Sequence, residues 1–227
     1  MPNKKELILF LSLAAILGFV ALILYIKSQP NAKLNNQQVD YQDFTYEQLK
    51  NGEGIVPGSK QFDVNDFFIG AQLAQNSIVQ KVKTGKLSYL SFYPSGKIYS
   101  ASLYENMHLQ NLNFSKGTWI RFYESGKVQE AKLRRDMIIQ GLNASQDTLA
   151  RFYESGRLSQ IELAREARFG DILFPKGTRL RFFPSGKLQY SALIKELRIK
   201  GLACKAETTI EFDEEGRAIR GDCQPIK

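Results

Sequence analysis

Histidine and cysteine are almost missing from this chain: 227 residues hold one His, at position 108, and two Cys, at 204 and 223. Structural zinc sites and iron–sulfur clusters draw on about four such ligands each, so neither can be built here. Two cysteines also exclude a disulfide-framework fold. A Ser-His-Asp or Cys-His catalytic group would have to use His108, and no P-loop, dinucleotide-binding glycine pattern or metal-ligand spacing occurs. No enzyme activity, cofactor or metal is therefore expected. Charge of one sign is not concentrated either. The chain carries 31 Lys and Arg against 23 Asp and Glu, a net +8, but the two signs are interspersed. With no helix-turn-helix, zinc-finger or RNA-binding signature, nucleic acid is not an expected partner. After residue 60 no stretch shows the 3.6-residue apolar period of a helix.

One long hydrophobic run is present, Leu7 to Ile26, without a charge and with Ser12 as its one polar residue. At 1.5 Å per residue it matches a hydrocarbon core of about 30 Å. A cleaved signal peptide has a shorter apolar core and a small-residue cleavage site, whereas this run passes directly into Tyr25-Ile26-Lys27, and no lipoprotein cysteine follows. The reading is one transmembrane anchor over 1–27, single-pass, with Lys4 and Lys5 leaving the N-terminus cytoplasmic and the rest periplasmic or extracellular. Residues 28–60 are polar and rich in Gln and Asn, as in an extended tether. One short helix is expected there, because Thr45-Tyr46-Glu47-Gln48 has the spacing of a capping box and Asn51-Gly52 supplies a stop.

Residues 61–227 are a repeat. Phe92-Tyr93-Pro94-Ser95-Gly96-Lys97 returns as Phe122-Tyr123-Glu124-Ser125-Gly126-Lys127, Phe152-Tyr153-Glu154-Ser155-Gly156-Arg157 and Phe182-Phe183-Pro184-Ser185-Gly186-Lys187. A worn copy follows at Phe212-Asp213-Glu214-Glu215-Gly216-Arg217. The glycines fall at 96, 126, 156, 186 and 216, a period of 30. A degenerate first copy starts near Phe62. Each copy alternates with the period of a strand, Ile120 and Phe122 on one face, then enters a type I turn closed by a left-handed Gly. The returning strand carries Val128, Ala131 and Leu133. Fifteen residues past each glycine stand Asn111, Gly141, Asp171 and Gly201, residue types that tolerate positive φ, so a left-handed turn is predicted at that column. The fold class is all-β: repeated antiparallel β-hairpins, a meander or solenoid-like array, after one N-terminal transmembrane helix.

The phrase Phe-Tyr-Glu-Ser-Gly-Lys resembles the bacterial variant of the MORN repeat, over residues 87 to 220 and with a longer period. It is also similar to 30-residue repeats of membrane-anchored bacterial envelope proteins. The resemblance implies hairpins stacked in a row and a scaffold or binding role, and implies no catalytic residue.

Two surfaces are candidate sites. The basic residues after the turns, Lys97, Lys127, Arg157, Lys187 and Arg217, form a row suited to anionic wall polymer, glycan or lipid headgroups. The alternative is a solvated edge that blocks aggregation. On the face opposite the core, Trp119, Arg121, Tyr123, Arg151, Tyr153 and Arg181 align Arg with aromatics. That pattern suits a protein partner or a glycan, or a ladder in which these groups cover one another. Cys204 and Cys223 lie in the last copy, either as two small buried side chains or as a disulfide over about 18 residues, which contributes about 3 kcal/mol. His108 falls in a variable column, as a surface residue does. The expected function is a membrane-anchored scaffold or adaptor for protein–protein interaction in the cell envelope; the alternative is a binding module for anionic polymer or lipid.

Overall fold

The computed structural model describes residues 39–199 and 202–225. The expected anchor Leu7–Ile26, the first part of the tether and Gly201 lie outside the described residues. Among the described residues no helix is long and apolar enough to cross a membrane.

Each thirty-residue copy folds as two hairpins. The long one pairs strands such as Trp119–Phe122 and Val128–Lys132. The short one pairs Met137–Ile139 with Leu142–Ala144. Long hairpins join edge to edge, in chain order, into a 12-stranded antiparallel sheet that does not close into a barrel. Short hairpins leave that sheet and form separate sheets of two or three strands. The core lies between the two layers: Leu90, Ile120, Ala150, Leu180 and Ile210 from the long sheet pack with Phe114, Ile139, Ala144 and Phe174 from the short ones. The array is thus a meander with a second layer, each copy burying its apolar face against its neighbours.

The turn chemistry follows the sequence. Gly126 N–H donates to Tyr123 O at 2.8 Å, Tyr123 N–H donates to Lys127 O at 2.7 Å, and Gly126 has φ 83°. Asp66, φ 61°, holds the glycine's place in the worn first copy, between Gln61–Phe62 and Phe68–Gln72. A bulge follows each turn: Phe122 faces Val128 while Arg121 faces Glu130. The extra residue lets Val128 and Ala131, an odd number of residues apart, both point into the core.

The short turns carry the expected left-handed residue at Asn111 (φ 62°) and Gly141, and add a second one before it. Ile139 pairs with Leu142, so the loop has two residues, and both are left-handed: Gln140 at φ 48° and Gly141 at φ 85°. Gln110 with Asn111 and Gln80 with Lys81 repeat this, the pattern of a type I′ hairpin, whose twist suits the strands. In the fourth copy the positive φ falls on Gly170 (56°) and not on Asp171. A further left-handed column, unforeseen, precedes each long hairpin: Leu87, Gly117, Asp147, Gly177 and Glu207. Each donates its N–H to the leucine fourteen residues earlier, from Leu73 to Leu193, at 2.7–2.9 Å.

The tether expected over 28–60 is corrected for its second part. Gln42–Asp43 pairs in parallel with the strand Ser77–Val79. The helix Tyr46–Asn51 then forms with the expected Thr45–Gln48 capping box and Gly52 at its end. Phe44, Leu49 and Ile55 enter the core, and the Tyr46 ring packs on Phe68 and Phe92 at 5.7 and 5.1 Å. The reason is that the first copy has no preceding short hairpin, so its apolar end needs a cover. At the far end, Cys204 faces Cys223 across adjacent strands and the two are disulfide-bonded. Thr84 with Leu103 and Ala144 with Leu163 bridge at the same spacing, so the disulfide occupies the register at which earlier copies fasten a short hairpin to the next strand.

Candidate functional site: the outer face of the long sheet

Because the period is 30 and the strands run in chain order, side chains at one register form a row across the sheet. Arg121 faces Glu130, Glu130 faces Arg151, Arg151 faces Gln160, and Gln160 faces Arg181. Glu130 is 8 % exposed and bonded on both sides, to Arg121 Nη1 at 3.2 Å and Arg151 Nε at 2.5 Å. Gln160 Oε1 accepts from Arg151 at 3.0 Å and Arg181 at 3.2 Å. Arg121 lies over Tyr99 and Trp119 at 5.3 and 5.4 Å, and Arg181 over Tyr190 at 5.3 Å. Arg121 Nε is buried without a partner among the described residues. In this row the Arg and aromatic groups cover one another, a cross-strand ladder.

The next row on the same face is more open. Trp119 faces Lys132, Lys132 faces Leu149, and Glu162 faces Arg179. With the ladder as its floor, this row borders a groove of about 750 Å³. Its walls are the half-buried Trp119 and Leu149, with cations and anions in near balance: Arg121, Lys132, Arg151 and Arg179 against Glu130, Asp147 and Glu162. Arg179 reaches Glu162 at 3.8 Å, and Lys132 has no ion pair among the described residues.

Of the residues singled out from the sequence, Trp119, Arg121 and Arg151 meet in this groove, while Arg181 continues the ladder beyond it. Tyr123 and Tyr153 do not join them. Their hydroxyls donate to Phe152 O at 2.8 Å and Phe182 O at 2.6 Å, as Tyr93 does to Phe122 O at 2.8 Å. Each turn tyrosine ties one long hairpin to the next. Burial pushes the Tyr93 and Tyr123 phenols above the usual range. Glu130, Gln160 and Lys132 were missed, and their signal was the 30-residue register itself, read across strands rather than along one.

The five turn cations are all exposed and lie at successive turns. Three are engaged. Arg157 donates to Pro184 O and Ser185 O at 3.1 and 2.6 Å, Lys187 donates to Glu214 O at 2.6 Å, and Arg217 pairs with Asp213 and Glu215 at 2.6 and 3.1 Å. Arg217 holds the Asp213 carboxyl below the usual carboxylate range. Lys97 and Lys127 make no such bond among the described residues. His108 is exposed, its Nδ1 2.8 Å from Asn113 Oδ1. Among the described residues no cluster of His, Cys, Asp and Glu could hold a metal.

Residues 86–106 and 116–133 match the family model of the MORN repeat variant. These are the long hairpins of two adjacent copies. The residues between them form a short hairpin, Met107–Leu109 with Leu112–Phe114, which accounts for the long period. No curated protein matches the chain. Over these residues the chain is similar to MORN repeats, which generally take part in protein or membrane-lipid binding.

Proposed function

We propose that this MORN-variant array is a membrane-anchored scaffold that docks a partner protein along the groove on its outer sheet face. The observation that carries the reading is the composition of that groove: one Trp and one Leu stand half-buried among Arg, Lys and Glu side chains of both signs, over a bonded and rigid floor. Trp and Arg in a sheltered site are what protein partners exploit most, while a phosphate-rich polymer favours cations without paired acids. The turn row suits the polymer less, since three of its five cations are engaged, Arg157 and Lys187 by the next turn and Arg217 by carboxylates of its own turn. The uncharged run Leu7–Ile26 supports an anchor with the N-terminus cytoplasmic and the array periplasmic or extracellular. The facing pair Cys204 and Cys223 supports an oxidising space; alkylation of the native protein without reductant reads this directly.

The test is a photo-crosslinking residue at Leu149 in the full chain, in its own cell. A discrete protein adduct is expected that persists at high salt and survives Gln at all five turn cations. Trp119→Ala, in a hot-spot position, should weaken binding about 30-fold. Crosslinking that requires the turn cations and vanishes with salt would instead assign the array to anionic polymer or lipid.

A further inference from the structure

Three short-hairpin turns carry a glutamine that reaches the next long hairpin just past its glycine. Gln80 Nε2 donates to Gly96 O at 2.7 Å, and its Oε1 accepts from Ile98 N–H at 3.2 Å. Gln140 repeats both bonds, to Gly156 O at 2.9 Å and from Leu158 N–H at 3.1 Å. Gln110 Oε1 accepts from Val128 N–H at 3.0 Å. These backbone groups lie at the bulge, where the ladder is interrupted and an outside partner is needed. A primary carboxamide suits them because one group supplies both an acceptor and a donor.

The fourth copy lacks this glutamine. Its place, thirty residues after Gln140, is held by Gly170. Among the described residues no side chain bonds Gly186 O or Leu188 N–H. Where the amide would lie there is a groove of about 390 Å³, bordered by Gly170, Gly186 and Leu188 and walled by Phe169, Ile172 and Phe212. Its rim carries Asp171, Glu214 and Glu215, while Lys187 is committed to Glu214 O.

We propose that this groove is a binding site for a primary carboxamide: the end of a Gln or Asn side chain of a protein partner, which completes the fourth repeat as Gln80, Gln110 and Gln140 complete the first three. The apolar walls accept the aliphatic stem. The acidic rim disfavours Glu or Asp in the same place. A free amide of about five heavy atoms has too few contacts to bind tightly, so useful affinity comes from a polypeptide that presents the amide. This site is on a different part of the array from the outer-face groove and does not depend on it.

The probe is propionamide, titrated to on the order of 100 mM into the ¹⁵N-labelled full chain in detergent micelles, the concentration range where so small a ligand fills a weak site. A saturable shift of the Leu188 N–H signal is expected. N,N-dimethylpropionamide, which lacks the donor, and propionate, which meets the acidic rim, should give none. Gly170→Gln should abolish the response and slow Leu188 hydrogen exchange about tenfold, as one added hydrogen bond does. A Cβ at Gly170 meets nothing within 4 Å, and its left-handed φ of 56° imposes on the new side chain the same kind of strain that Gln140 already bears at 48°. Gln140→Gly should create a second responsive signal at Leu158. No saturable shift at Leu188, an equal shift with the dimethyl amide, or no response at Leu158 in Q140G would each overturn the proposal. If G170Q does not fold, the unsubstituted chain's Leu188 titration and Q140G decide it.

Discussion

The turn tyrosines offer the most direct measurement of what joins one copy to the next. Tyr93, Tyr123 and Tyr153 each donate to the carbonyl of the Phe one strand pair ahead, at 2.8, 2.8 and 2.6 Å. Replacement by Phe removes the hydroxyl and keeps the ring. A neutral hydrogen bond of this kind contributes about 1 kcal/mol net, rising toward 3 kcal/mol only if the stranded carbonyl stays dry. All three tyrosines are half-buried, so water reaches the vacated carbonyl and the lower figure applies. Successive tyrosines are two strands apart, about 10 Å, which is far enough for their effects to add. The triple variant Y93F/Y123F/Y153F should therefore lose about 3 kcal/mol, a large part of a total stability of about 5–15 kcal/mol. With a urea slope of about 2 kcal/mol/M, the midpoint falls by about 1.5 M at unchanged slope. The protein contains its own control: position 183 is already Phe, and F183Y should gain about 1 kcal/mol by reaching Phe212 O. A triple variant within about 0.5 kcal/mol of wild type would refute the ladder as a source of stability.

Three other perturbations test separate parts of the fold. Burial, followed by the hydrogen bond to Glu105, pushes the Tyr41 phenol up to about 12, and burial raises Tyr46, Tyr89, Tyr93 and Tyr123 as well. The folded state thus holds these protons more tightly than the unfolded one, so their contribution is complete below about pH 10 and is lost as the pH rises toward 12. Denaturation midpoints should fall across that window, less steeply in Y41F; a flat profile contradicts the assignment. The double variant C204S/C223S should lose about 3 kcal/mol, with faster hydrogen exchange in Leu202–Cys204 and Cys223–Pro225 while Trp119–Phe122 is unchanged. Acceleration spread evenly over the array would show that the last copy is not a separate cap. Leu87, exposed and at φ 64°, is a bulky side chain in a left-handed conformation that costs about 1–2 kcal/mol. Leu87→Gly should raise the melting temperature despite glycine's greater unfolded entropy, and a drop would mean that the leucine side chain makes contacts worth more than the strain.

The long hairpins were legible because two independent signals coincide in them: a turn glycine every thirty residues and a period of two on either side. The short hairpins were half legible. Their strands have three residues each, too few to show a period, and of the two left-handed turn positions one is Gln in three copies, a residue with no turn signature of its own. The column Leu87, Gly117, Asp147, Gly177, Glu207 was invisible for a related reason. A backbone hydrogen bond dictates that conformation, and the side chains share nothing. Residues 40–55 read as tether because Phe44, Leu49 and Ile55 are spaced too widely to form a stripe, yet each fills a place at the uncovered end of the first copy.

The outer face shows where parity reasoning fails. Counting by twos from the buried Val128 sends Glu130 into the core; the bulge after Phe122 flips it to the opposite face, between Arg121 and Arg151. Trp119, Arg121 and Arg151, on the strand before the bulge, keep the simple alternation; beyond it Val128, Ala131 and Leu133 are buried as the sequence suggested, while Glu130 shows on the outer face where strict alternation does not put it. The same regularity that hides such shifts makes departures from it informative. In a chain whose copies share one register, Gln80, Gln110 and Gln140 define what a backbone site requires, and Gly170 marks the one described copy in which that requirement is left to something else.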